Sequence, residues 1–157
     1  MYKYAVDSQN RALAVVVQLV SGVNLLLINV YLPCYTNYDE YMNSLLEIYG
    51  FIENCIECCS YDEVIVLGDF NFECDVSVPA YKLLVKVLDE HNLICCEKYA
   101  NTPVEFTYFQ DTLHRYTLID HMFASAHLAN KIIKYSIIES GVNFSDHVPI
   151  CCVPSVL

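Results

Sequence analysis

Basic side chains are scarce in this sequence. Its 157 residues include 8 Lys and Arg against 19 Asp and Glu, so the formal net charge is -11. A protein that grips nucleic acid by the phosphate backbone usually displays clustered Lys and Arg, because phosphate neutralisation supplies much of the affinity. The composition therefore excludes a broad basic footprint. Carboxylates gathered around a divalent cation would explain part of the acidity, but not all of it.

The sequence also lacks a secretory leader and an unbroken membrane-spanning run. Met1 is followed by Tyr-Lys-Tyr rather than by a basic and then an apolar segment. The stretch Leu13–Leu32 approaches the roughly 20 residues of a spanning helix, but a Ser-Gly-Val-Asn turn signal at Ser21 divides it. We therefore expect a β-hairpin here, no membrane association, and an intracellular location, with the nucleus as one option.

Cysteine is plentiful, with 9 residues, but its spacing is not that of a disulfide or zinc framework. The odd count rules out complete pairing. Cys55-x-x-Cys58 is not accompanied by a second pair of the kind that a zinc site requires. We predict buried free thiols in a reducing compartment.

The length is that of one domain, and no linker or repeat divides residues 1–157. Hydrophobic residues make up 55% of the sequence, which is high for a domain of this size. Two causes fit this value. One is a sandwich with few exposed faces, and the other is the absence of partner strands that would cover apolar surface.

Apolar periodicity predicts strands and helices along the whole chain. Amphipathic helices are predicted over Tyr38–Cys59 and Ser77–His91. Strands are predicted over Ala12–Val20, Asn24–Tyr31, Glu63–Gly68, Thr107–Phe109, Leu118–Ala124, Lys131–Glu139 and His147–Val153. This α/β pattern predicts a sandwich of two mixed β-sheets with helices outside, rather than a doubly wound parallel sheet.

A Gly-Asp-Phe-Asn segment follows the buried strand at residues 63–68. Gly68 allows a sharp turn of the backbone, after which Asp69 and Asn71 point the same way by the period-2 rule. A pair of polar groups presented together at a strand end is suited to catalysis. An Asx-type turn explains the same residues without any chemistry.

Other polar residues lie at or near further strand ends. Asp146 and His147 begin the last predicted strand, where a carboxylate and an imidazole can serve a metal ion or a reacting water. Asp120 lies in an apolar strand, where a carboxylate is costly to bury unless it is paired, and His147 is its natural partner. Tyr31 places a hydroxyl at the end of another strand.

These segments occur in an order that resembles the endonuclease/exonuclease/phosphatase superfamily of DNase-I-like proteins. The matching motifs are Asn-x-Tyr-x-Pro at 29–33, Gly-Asp-Phe-Asn at 68–71, Ile-Asp at 119–120 and Ser-Asp-His-x-Pro at 145–149. The segment 105–109 followed by 118–121 is most similar to endonuclease domains of non-LTR retrotransposons. The resemblance implies a DNase-I-like sandwich.

The resemblance also implies roles for the matching residues. Asp69 would orient or deprotonate the attacking water, and Asn71 would steady the phosphate and the nucleophile. Tyr31 would donate to a phosphate oxygen. His147 would contact the scissile phosphate, held in orientation by Asp120 as in a catalytic triad.

A divalent metal and a DNA substrate complete the implied chemistry. The metal would be Mg²⁺ or Mn²⁺, bound near Asp146 and Asp69, and it would assist an in-line displacement at phosphorus. Mg²⁺ prefers few carboxylates and several waters, which fits scattered acids. Thr107 and Ser145 would contact the DNA backbone or support the site.

The sequence departs from the superfamily pattern at the front. Members carry an earlier strand with an Asn and then a strand that ends in a metal-binding Glu, and nothing before Asn29 matches either. We therefore expect residues 1–157 to be the C-terminal portion of such a domain, with weak or absent metal-dependent activity. We also expect an open apolar edge or face near residues 12–31.

Three functional interpretations remain open from the sequence. The first is a DNA-nicking endonuclease domain of retrotransposon type, and the second is a non-catalytic remnant that keeps the motifs. The third is a phosphodiesterase for phosphoinositides or sphingolipids, which the retrotransposon-like segment from Thr107 to His121 disfavours.

Overall fold

A six-stranded mixed sheet forms the centre of the fold in the computed structural model, which describes residues 3–35, 37–99, 103–138 and 143–155. The helices are α1 (Tyr38–Cys58), α2 (Pro79–Glu90) and α3 (Ala126–Ala129). The strands are β1 (Lys3–Val6), β2 (Ala12–Gln18), β3 (Asn24–Tyr31), β4 (Glu63–Asp69), β5 (Leu93–Cys95), β6 (Tyr108–Gln110), β7 (Arg115–Thr117), β8 (Asp120–Ser125), β9 (Ile132–Ile137) and β10 (Ile150–Pro154).

The order of strands in the main sheet is β1-β2-β3-β4-β8-β5, and two-stranded sheets form from β9 with β10 and from β6 with β7. Strand β3 runs parallel to β4, with α1 as the crossover, whereas β4 and β8 are antiparallel. This arrangement confirms the predicted α/β fold with a mixed sheet and helices outside, although the small sheets are antiparallel and not mixed. The β9–β10 sheet packs on the main sheet as a second layer.

Helices α1 and α2 cover one face of the main sheet. Helix α1 begins after Asn37, whose side chain accepts a hydrogen bond from the Glu40 N–H at 3.1 Å and so caps the first turn. Leu45, Ile48 and Ile52 recur at helical spacing and are at most 1% exposed. They pack on the apolar side chains of β3 in the larger hydrophobic core.

The opposite face of the sheet is covered over only part of its width. Ala124 of β8 and Leu25 of β3 pack against Tyr135 of β9 in the second hydrophobic core. Further along the same face, Val6 and Leu13 are cross-strand partners and are 46% and 44% exposed. The apolar face expected to be open near residues 12–31 is thus partly exposed at Val6 and Leu13.

The structure corrects several predicted element bounds. The last strand begins at Ile150, not at His147, because the backbone at His147 makes an isolated bridge to Tyr108 instead. Strand β8 begins at Asp120, since the N–H groups just before it bond to a side chain. Glu139, the last residue of another predicted strand, lies outside the described residues.

Two other expectations concern thiols and membrane helices. All nine cysteines are free thiols, as the spacing predicted, but the predicted burial is wrong for most of them, because Cys55 and Cys96 alone among the nine are buried and Cys34 and Cys58 are exposed. Among the described residues, no helix combines the length and the apolar character needed to cross a membrane.

Candidate active site

Polar side chains from three adjacent strands meet at one end of the main sheet. Tyr31 ends β3 and is the register partner of Asp69, which ends β4. Asp69 is in turn the register partner of Asp120, which begins β8. Parallel β3 and β4 both end here, and antiparallel β8 begins here, so strand direction alone brings these residues together.

The turn after β4 fixes Asp69 and Asn71 against each other. Asp69 Oδ1 accepts a hydrogen bond from the Asn71 N–H at 2.9 Å, and Oδ2 accepts one from Asn71 Nδ2 at 3.2 Å. The same Nδ2 donates to the Leu32 carbonyl at 2.7 Å, while the Cys34 thiol donates to Asn71 Oδ1 at 3.0 Å. This is the Asx turn that the sequence allows, and it also ties the turn to the end of β3.

Asp120 and His147 form a hydrogen-bonded pair beside that turn. Asp120 Oδ2 accepts from His147 Nδ1 at 2.8 Å, so Nδ1 carries a proton. The His147 backbone N–H is held by Ser145 Oγ at 3.0 Å, and the ring packs on Tyr108 with centroids 5.1 Å apart. Nδ1 is therefore occupied, and Nε2 is the ring atom left for a ligand.

Thr107 has a supporting position rather than a substrate-facing one. It is 0% exposed, which favours support of the site, the second of the two predicted roles, over contact with the DNA backbone. Its Oγ1 accepts hydrogen bonds from the N–H groups of Ile119 at 3.1 Å and Asp120 at 2.9 Å. The Thr107 side chain thus fixes the backbone that carries Asp120.

Ser145 and Asp146 lie on the exposed segment that leads to His147. The Ser145 N–H donates to Asn143 Oδ1 at 3.0 Å, and the Asp146 carbonyl accepts from the Phe109 N–H at 2.9 Å. The structure does not bring Asp146 into the acidic cluster of the site. Its assignment as a metal ligand, and that of Ser145 as a substrate contact, remain predictions.

The donor set at the site fits a divalent cation. Asp69, Asp120 and His147 each offer a ligand atom within 4.8 Å of the others. Burial raises the pKa of Asp69, while the N–H of Asn71 opposes the rise and the charge of Asp120 adds to it. Two carboxylates that repel each other in this way are stabilised by a bound cation.

Sequence patterns missed several residues of the cleft in front of this cluster. The cleft has a volume of about 720 Å³ and is lined by Asp69, Asn71 and His147 together with Tyr31. It is also lined by residues that no motif indicated, among them Cys34, Tyr35, Gln110 and Arg115. The position of Cys34 directly after the Asn-x-Tyr-x-Pro motif is a signal that could have indicated it.

A buried ion pair contacts the segment that directly follows the Asp69–Asn71 turn. His121, fully buried, pairs through Nδ1 with Glu97 Oε1 at 2.5 Å and donates from Nε2 to the Phe72 carbonyl at 2.9 Å. Burial lowers the pKa of His121, but the hydrogen bond and charge of Glu97 outweigh it, so the pKa lies above its ordinary value. The protonated ring thus anchors the segment that follows Asn71.

The His121–Glu97 pair predicts a pH-dependent stability. The folded-state pKa of His121 lies above the unfolded value of about 6.5. At a pH between these two pKa values, the folded protein therefore binds more protons than the unfolded protein. The pair's contribution is therefore full below pH 6.5 or so and is lost as the pH rises through the folded-state pKa. Urea denaturation across this range should show a stability advantage over His121→Phe that shrinks as pH rises.

His114→Phe is the matched control for this measurement. His114 is exposed, so this variant should keep the pH dependence of the wild type. A stability difference between wild type and His121→Phe that stays constant with pH would contradict the assignment of a buried imidazolium.

The fold and the site together define a class of protein. A mixed sheet that presents Asp-x-Asn after a parallel strand, next to an Asp–His pair, is the arrangement of DNase-I-like endonucleases, exonucleases and phosphatases. The chain belongs to the endonuclease-reverse transcriptase family, whose model matches residues 25–151. This membership supports phosphodiester hydrolysis of the nuclease or phosphatase type.

Solved structures show the same fold. The 3' phosphatase NExo from Neisseria, bound to a product DNA hairpin, is 18% identical, with a TM-score of 0.71 over 99% of this chain and 70% of that one. An AP endonuclease from Archaeoglobus fulgidus is 15% identical, with a TM-score of 0.73 over 99% and 70%. The APE2 catalytic domain from Xenopus laevis is 20% identical, with a TM-score of 0.69 over 92% and 55%. No curated protein sequence matches the chain.

Proposed function

We propose that this chain is part of a retrotransposon-type endonuclease domain that hydrolyses phosphodiester bonds of DNA with a divalent metal, Mg²⁺ or Mn²⁺. The observation that carries the proposal is the meeting of Asp69, Asn71 and His147 in one cleft, with Asp120 hydrogen-bonded to His147. The product DNA hairpin bound to the structurally similar Neisseria enzyme supports DNA as the substrate. A nuclear location is part of the proposal.

The residues divide the work of an in-line displacement. Asp69 accepts a proton from the attacking water, and its raised pKa suits a base. His147, protonated on both nitrogens and paired through Nδ1 with Asp120, donates from Nε2 to a nonbridging oxygen of the scissile phosphate, and Tyr31, 49% exposed, donates to another. As the water oxygen bonds to phosphorus, the bond to the leaving oxygen breaks.

A cation bound by Asp69 and Asp120 would neutralise charge that develops on the phosphate oxygens. Asp120 Oδ2 accepts the hydrogen bond of His147, which leaves Oδ1 for the ion. Mg²⁺ held by so few carboxylates depends on bound waters and substrate oxygens for the rest of its ligands. We therefore expect weak metal affinity and slow nicking by this chain alone.

Nicking of supercoiled plasmid DNA across a magnesium titration tests the function. We expect slow conversion to open circles that grows with magnesium concentration, stops in EDTA and disappears in Asp69→Ala and His147→Ala. Asp89→Asn changes an exposed carboxylate on α2 and should leave the rate unchanged. The absence of nicking at every magnesium or manganese concentration would instead favour the non-catalytic remnant.

A further inference from the structure

Aromatic rings line the candidate cleft alongside its polar groups. Tyr31, Tyr35, Phe72 and Tyr108 all border the same cavity of about 720 Å³. Tyr35 is 66% exposed, although an aromatic side chain gains free energy when its ring is buried. An exposed ring beside a reaction centre is available to a ligand with a flat apolar surface.

Positive charge is scarce in the same cleft. Among the described residues that line it, Arg115 is the single Lys or Arg, and Asp69 and Glu73 oppose its charge. The chain as a whole has a net charge of -11. Phosphate contacts therefore supply little of the affinity for a polyanion, and a nucleic acid bound here needs another attraction.

We infer that the cleft holds an unpaired nucleotide next to the scissile phosphate, with its base stacked on the ring of Tyr35. Stacking requires no positive charge and is open to every base, because each has a π-face. A base inside a duplex already has both faces covered by its neighbours. The inference rests on the proposed function and deepens it by naming the substrate class, which is DNA with unpaired nucleotides at the cleavage position.

Tyr35 is better placed for stacking than the other rings of the cleft. The Tyr31 hydroxyl is assigned to a phosphate oxygen, and the Tyr108 ring packs on His147 at 5.1 Å. Tyr35 makes a T-shaped contact with Tyr41, with centroids 5.4 Å apart. One such contact orients a ring and covers at most one of its faces, so the other stays free.

Fluorescence anisotropy in EDTA measures the interaction without hydrolysis. The probes are a labelled single-stranded DNA, the same sequence as a duplex, and its RNA version. We expect the single strand to bind more tightly than the duplex, and Tyr35→Ala to weaken single-strand binding by about 5- to 150-fold. Tyr35→Phe keeps the ring and should bind like the wild type. RNA bound as tightly as DNA supports a subsite that recognises the base and not the sugar.

The salt dependence and a matched tyrosine complete the test. With Arg115 as the cleft's cation, log Kd should change with log salt by a slope of about 0.7. Tyr38 is 62% exposed but does not line the cleft, so Tyr38→Ala should bind like the wild type. The inference is overturned if Tyr35→Ala keeps wild-type affinity, if the duplex binds as tightly as the single strand, or if no binding occurs.

The outcome is independent of the outcome for catalysis. The chain could bind single-stranded DNA through Tyr35 and yet never nick DNA. That result would refute the proposed reaction and support the stacking subsite. If the chain nicks DNA with metal but Tyr35→Ala binds single-stranded DNA as tightly as the wild type, the stacking subsite is refuted and the proposed reaction is not.

Discussion

Replacing Asp120 with Asn is expected to lower the rate of phosphodiester hydrolysis on the order of 10³- to 10⁴-fold while the fold remains intact. Asp120 accepts the Nδ1 proton of His147 at 2.8 Å, which leaves Nε2 to face a ligand. The side chain of Asn is neutral, so it no longer stabilises the positively charged ring that carries a proton on both nitrogens. His147 would then lose the charged form of the ring in which Nε2 donates to a phosphate oxygen.

Rates at fixed magnesium, with thermal melting as the measure of folding, check this expectation. The loss should appear in kcat, because the hydrogen bond from His147 strengthens as charge develops in the transition state. Asp89→Asn, on the exposed surface of α2, is the matched control. Recovery of Asp120→Asn by excess magnesium would show that Asp120 acts mainly as a metal ligand, and a rate within tenfold of wild type would contradict both roles.

The long elements of this fold could be predicted from sequence because local signals define them. Helix α1 has an Asn cap and an apolar repeat over 21 residues, and β4 is an apolar run that ends at a Gly-Asp pair. Strands β1, β5 and β7 have three or four residues each and were missed. Segments this short show no periodicity, and they are strands because a neighbour supplies their hydrogen bonds.

Site residues that belong to a sequence motif could be predicted. Residues that reach the site only because distant segments fold together could not. Asp69, Asp120 and His147 stand in recognisable motifs, and the structure places them side by side. Thr107 also stands near a motif, yet burial turns its hydroxyl inward to the backbone of β8, which the sequence alone does not show. Arg115 reaches the cleft because the β6–β7 hairpin folds beside it, and no spacing indicates that approach.

The second large effect is expected for Gly68→Ala, because the site depends on a close backbone approach at this residue. Gly68 has φ +140, and a Cβ built on it would lie 1.9 Å from the Val30 carbonyl oxygen. Val30 is the register partner of Gly68 in the parallel β3–β4 pair, so the obstacle is strand backbone and cannot rotate away. Overpacking and an unfavourable φ together should cost about 3 kcal/mol or more.

Thermal melting of Gly68→Ala and Gly50→Ala separates this close approach from the general effect of removing a glycine. Gly50 lies in α1, and a Cβ there meets nothing within 4 Å, so its replacement should stabilise the helix by roughly 0.5–1 kcal/mol. Gly68→Ala should lower Tm by about 6–12 °C. It should also slow hydrolysis at temperatures where it remains folded, because a shift of β3 against β4 separates Tyr31 from Asp69. If Gly68→Ala melts at the wild-type temperature, the two strands do not approach each other this closely, and the register that assembles the site must be revised.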